Sequence, residues 1–81
     1  MRRPFKNISG PQIAARRKAC RPPVTQAELA RRVQADGVSL DRVAIAKIEG
    51  GARGVLDYEL VAIARALATT PARLVKGAEE G

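Results

Sequence analysis

Residues 24–51 read VTQAELARRVQADGVSLDRVAIAKIEGG, and this stretch decides the fold. Thr25-Gln26-Ala27-Glu28 has the pattern of a capping box: the Thr25 hydroxyl accepts from the Glu28 amide, and the Glu28 carboxylate accepts from the Thr25 amide. Val24 before the cap and Leu29, four residues into the helix, are placed as a hydrophobic staple. Leu29, Ala30 and Val33 then share one helix face, while Arg31 and Arg32 point outward. Asp36-Gly37 ends this helix. After the connector Val38-Ser39-Leu40, Asp41 is the expected cap of a further helix that closes at Gly50-Gly51, residues that tolerate left-handed backbone. Its inward stripe is Ala44, Ile45 and Ile48, which leaves Arg42, Val43, Ala46 and Lys47 on the outward face.

The flanking sequence extends this pattern to an all-α chain of five short helices. Fifteen of the apolar residues are Ala and only Phe5 and Tyr58 are aromatic, a composition that suits closely packed helices. Gly10-Pro11 reads as a helix start, with Pro in the first turn, and Pro22-Pro23 as the stop after about Cys20. Within that helix Arg16 interrupts the face of Ile13 and Cys20. Either its stem lies along the core edge, or the helix turns to bury Ala15 and Ala19. Asp57 is the expected cap of the fourth helix, with Leu60, Ile63, Ala64 and Leu67 inward. Thr70-Pro71 opens the fifth, anchored by Leu74 and Val75 and stopped by Gly77. The expected organisation is a flexible basic arm over residues 1–9, one domain over 10–77 and a frayed tail over 78–81.

Length and composition exclude several functions. A chain of 81 residues supports one modest core. With no His and the single Cys20 there is no zinc ligand set and no His-based catalytic group, so neither catalysis, a metal site nor a cofactor is expected. Cys20 itself is read as a small apolar residue. No apolar run approaches the length of a membrane span, and Met1 to Lys6 has no secretory pattern, so a cytoplasmic protein is expected. The charge is uneven. Residues 1–32 carry nine basic groups against Glu28 alone, whereas the other 49 residues carry six basic and seven acidic groups. A net charge of +7 so distributed favours a polyanionic partner.

Two short amphipathic helices joined by a Gly-containing turn have the layout of a helix-turn-helix unit. With Thr25-Gln26-x-Glu28-Leu29-Ala30 opening the first and Ile45-Ala46-Lys47-Ile48-Glu49-x-Gly51 closing the second, the chain resembles the Cro/XRE-type phage-repressor family over roughly residues 8–76. Ile8-Ser9-Gly10-Pro11-Gln12-Ile13 and Asp57-Tyr58-Glu59-Leu60 add to the likeness. The chain departs from that family in Arg16, in the long Arg21-Pro22-Pro23-Val24 loop and in the stretch from Gln34 to Leu40.

The resemblance implies a lambda-repressor-like five-helix domain with an extended turn before the recognition helix. It also implies a transcriptional regulator, a repressor acting as a homodimer on a two-fold symmetric double-stranded DNA operator. Carried over by position, Arg42, Val43, Ala46 and Lys47 read bases; Arg and Lys donate to guanine O6 and N7, and Val or Ala packs on a thymine methyl. Val43 has a competing reading as core. Gln26, Arg53 and the amides near Tyr58 are expected at phosphates, with Gln26 also bracing the start of the recognition helix. An ion pair between Arg17 and Glu49 is expected to hold that helix on the scaffold. Leu74, Val75 and the Ala68-Thr69 loop are the expected dimer contacts. Arg2, Arg3 and Lys6 are read either as a minor-groove arm or as a solubilising terminus. The alternatives are an antitoxin or phage or plasmid adaptor that binds a partner protein, and a non-specific RNA or nucleoid binder.

Overall fold

The computed structural model describes residues 5–80 of the chain, with side-chain surroundings for residues 9–75. These form α1 (Phe5–Ala19), α2 (Gln26–Ala35), α3 (Arg42–Glu49), α4 (Asp57–Ala66) and α5 (Pro71–Glu80), and no strand occurs among the described residues. The fold class is all-α. No helix among these is long and apolar enough to cross a membrane.

Three of the expected caps form, the last where Thr70 Oγ1 accepts from the Arg73 amide at 3.2 Å ahead of α5. Thr25 Oγ1 accepts from the Glu28 amide at 3.0 Å and Asp41 Oδ1 from the Ala44 amide at 2.8 Å, which satisfies donors that open α2 and α3. The Thr25 box is only half closed, because the Glu28 carboxylate bonds to Arg31 and Arg32 instead of returning to Thr25. A reciprocal bond occurs at the start of α4: Glu59 accepts from the Leu56 amide at 2.9 Å. The N-cap of α4 is therefore Leu56, and Asp57 is its first helical residue.

Leu29, Ala30 and Val33 of α2 meet Ile45 and Ile48 of α3 and Ala62, Ile63 and Ala64 of α4 in one core. The connector contributes as well: Leu40 is fully buried, Val38 is nearly so, and Gln34 donates to the Leu40 carbonyl at 2.9 Å. Gly37, at φ +87°, makes the left-handed exit from α2. Across this pair α1 packs on α3 and α5, and α4 packs on α2 and α5.

Two further boundaries differ from the sequence reading. Helix α1 begins at Phe5, not at Gly10-Pro11, and carries Pro11 inside it. Gly10 serves packing instead of initiation: a Cβ built on it would lie 2.4 Å from the Ile48 carbonyl oxygen and 3.1 Å from that of Glu49. Residues 5–9 are thus helical, and of the expected basic arm Arg2, Arg3 and the side chain of Lys6 lie outside the described residues. At the other end, α5 continues past Gly77 to Glu80, so backbone described as helix occupies most of the tail expected to fray.

Arg16 resolves the ambiguity of the first helix. Its stem lies along the core edge, and its guanidinium donates to the carbonyls of Leu67 at 3.0 Å and Ala68 at 3.1 Å. Arg32 donates to the neighbouring Ala66 carbonyl at 3.0 Å. Two cations thus close the C-terminus of α4, where unpaired carbonyls and the helix dipole favour positive charge. Ala15 and Ala19 stay exposed.

Candidate nucleic-acid interface

Helix α3 has two unlike faces. Ile45 and Ile48 are buried, while Arg42, Val43 and Lys47 are exposed and Ala46 is half-exposed. Val43 keeps 49% of its surface in solvent, which removes its reading as a core residue. Arg42 and Lys47 have no hydrogen-bond or ion-pair partner among the described residues. The outward stripe therefore offers two free cations with an apolar side chain between them.

The C-terminal end of α3 is held tightly. Arg17 Nε and Nη2 donate to the two Glu49 oxygens at 2.7 and 2.9 Å, a bidentate pair with side chains only 11% and 7% exposed. Arg17 also donates to the Val24 carbonyl at 3.0 Å, joining the loop before α2 to the same junction. Gln26 completes it with an Nε2 bond to Glu49 Oε1 at 3.0 Å. Burial disfavours the Glu49 carboxylate, but the bonds from Arg17 and Gln26 and the charges of Arg17 and Lys18 outweigh it and hold its pKa below the ordinary value. The bond to Glu49 in turn raises Arg17. Three elements thus converge on one carboxylate, and the acidic group that closes α3 has the cationic partner that its place against the dipole requires.

The expected phosphate contacts fare differently. Gln26 lies at the first turn of α2, but it braces the end of α3, not its start. Arg53 is occupied: it donates to both oxygens of Glu59 at 3.0 Å and to the Gly54 carbonyl at 2.9 Å. Its bond to Glu59 raises it, and the same bond holds Glu59, whose side chain is 4% exposed, below the usual carboxylate range. Arg53 is thus the counter-ion of a buried acid that caps α4, and its side chain stays 34% exposed. Tyr58 is 61% exposed in the first turn of that helix. Among the other described cations, Lys18 and Arg21 beside the loop into α2 are exposed and unpaired.

Of the expected dimer contacts, Leu74 is 2% exposed and belongs to the core, so it is not available to a partner. Val75 and Thr69 are partly exposed and Ala68 is exposed. Sequence reasoning passed over Glu59 and the α4-closing roles of Arg16 and Arg32. The Leu56-x-x-Glu59 spacing was the one local signal for Glu59, obscured because Leu is not a capping residue. Nothing in the sequence signals the long-range bonds of Arg16 and Arg32. Among the described residues no cluster of His, Cys, Asp and Glu is arranged to hold a metal ion.

No protein-family model matches the chain, and no curated protein and no solved structure is significantly similar to it.

Proposed function

We propose that the chain is a sequence-specific double-stranded DNA-binding regulator, a repressor with a lambda-repressor-like helix-turn-helix fold, in which α3 lies in the major groove. The observation that carries this reading is the outward stripe of α3, with Arg42 and Lys47 unpaired on either side of exposed Val43 while both neighbouring arginines, Arg17 and Arg53, are occupied within the fold. Arg42 and Lys47 donate to guanine edges, and Val43 and Ala46 pack on thymine methyls. Gln26, the free amides that open α2 and those near Tyr58 position the backbone, helped by Lys18 and Arg21. The Arg17, Glu49 and Gln26 junction fixes the angle at which α3 leaves the scaffold. So small a reading surface supports pairing of two copies on half-sites about 34 Å apart.

Selection from random-sequence duplex DNA tests the reading. A motif should emerge, and it should weaken or change in a variant with Arg42, Val43 and Lys47 all replaced by Ala. No enrichment, or the same motif from the variant, overturns the proposal. A protein-interaction module, such as an antitoxin or adaptor, is the second reading, and one observation favours it: Leu56 at the cap of α4 and Tyr58 and Val61 on that helix are exposed apolar side chains outside the stripe of α3.

A further inference from the structure

The exposed group on α4 has a charge pattern that selects its occupant. Asp57, Val61 and Arg65 stand at i, i+4 and i+8, so they follow one side of the helix. All three are exposed, Val61 by 41%, with Tyr58 beside it exposed by 61%. Asp57 has no hydrogen-bond or ion-pair partner among the described residues. Arg65 uses one nitrogen on Asp36 at 2.8 Å, and its side chain remains 67% exposed. The row is thus acidic at one end, apolar in the middle and basic at the other.

We infer that this row is a self-association surface, on which a second copy of the chain packs its α4 antiparallel to the first. In that arrangement a two-fold axis passes beside Val61, the two Val61 side chains meet, and each Asp57 faces the Arg65 of the other copy. Asp57 and Arg65 are about 12 Å apart along the helix axis, too far to pair within one chain. Each is instead the complement of its own counterpart once the row is reversed. An isologous two-fold contact requires this self-complementarity, and a partner of unrelated sequence does not. Tyr58 and Leu56 extend the apolar centre on one side. The amides that open α4 point along the helix axis, so they remain available when its side is covered.

The surface does not depend on DNA binding, and its test uses none. Sedimentation equilibrium on the full chain over a concentration series gives the dimer constant, with circular dichroism to verify that each variant is folded. Asp57→Arg and Arg65→Asp should each weaken dimerisation at least tenfold, because like charges then face each other across the axis. The double variant Asp57→Arg with Arg65→Asp should recover most of the loss, and Val61→Asp should not be recoverable by it. A wild-type chain that stays monomeric overturns the inference and leaves the face to a different protein. So does a dimer indifferent to the single charge reversals, or a double variant no better than either. Failure here leaves the base-reading role of α3 standing, since duplex selection measures that separately.

Discussion

Replacing Gly10 by Ala sets two effects of opposite sign against each other. Gly10 lies inside α1, where Ala is favoured by about 1 kcal/mol on helix propensity alone. Against this, the new Cβ would lie 2.4 Å from the Ile48 carbonyl oxygen. Comfortable carbon contacts begin at about 3.5 Å, so α1 must retreat from the end of α3 by ~1 Å. Both opposing atoms are backbone, so no side chain can swing away. Overfilled contacts of this kind cost about 1 to 3 kcal/mol, and the retreat also pulls Arg17, two turns on, away from Glu49. If that nearly buried pair parts, the loss grows by a few kcal/mol, since a buried charge is left without its partner.

The expected balance is a destabilisation of about 1 to 3 kcal/mol, which for a domain of this size lowers the melting temperature by roughly 5 to 20 °C. Thermal and urea unfolding followed by circular dichroism measure it. Gly50→Ala is the matched control, because its Cβ meets nothing closer than the Ala46 carbonyl at 3.4 Å and its φ is −85°. That variant should melt close to wild type or slightly above. A Gly10→Ala protein as stable as wild type, or more so, refutes the close approach of α1 to α3, because propensity alone then accounts for the result.

Glu49 and Glu59 both have folded-state pKa values below the ordinary carboxylate value of 4.5, so the stability they lend is complete above that pH and is lost as pH falls through their lower folded values. The urea midpoint should therefore drop below about pH 4.5, and Glu59→Gln should flatten the slope; an unchanged slope in that variant would falsify the assignment. Arg53→Ala should cost about 2 to 4 kcal/mol, less than for a fully buried pair because Arg53 is a third exposed, and should leave the selected DNA motif unaltered. A shift in the motif would mean that Arg53 reads DNA after all. Ala68 holds φ +57° at the end of α4, where glycine is free of the left-handed penalty, so Ala68→Gly should gain about 0.5 to 1 kcal/mol by chemical denaturation; a loss instead would show that this backbone carries no strain. Arg42→Ala and Lys47→Ala should each weaken specific binding by about 1 to 3 kcal/mol in a fluorescence titration, with non-specific duplex affected far less.

What the sequence discloses here follows from how local each interaction is. The Thr25 and Asp41 caps, the Leu29 to Val33 face and the Ile45 and Ile48 stripe each span four or five residues, and each occurs as expected. Gly10-Pro11 satisfies a local rule for helix entry, yet α1 starts at Phe5, and the reason for Gly10 lies in α3, thirty-eight residues away. Arg16 carries no cue to its role, since its partners are carbonyls at the end of α4. Arg53 and Glu59 were both visible as charged residues, but only folding brings them together across the turn into α4. The outward stripe of α3 was more legible, because exposure there follows from the same helical period that buries its opposite face. The Arg17 and Glu49 pair was expected from family likeness and forms, although nothing within either helix predicts its partner.

The same contacts revise the meaning of the basic first part of the chain. Of its nine cations, Arg16, Arg17, Arg31 and Arg32 are engaged within the fold, and only Lys18 and Arg21 are free among the described side chains. Occupation differs from neutralisation, however. Arg16 bonds only to carbonyls, which keeps its full charge, whereas Arg17 is balanced by Glu49, and Arg31 and Arg32 share the single charge of Glu28. The long-range field that draws a polyanion depends on net charge and survives these bonds, whereas close phosphate contacts require donors that the fold has not claimed. The steepness with which salt weakens binding should therefore report the few free cations, not the nine in the sequence. A basic stretch in so small a domain serves first to close helix ends and join helices, and only its remainder is available to a partner.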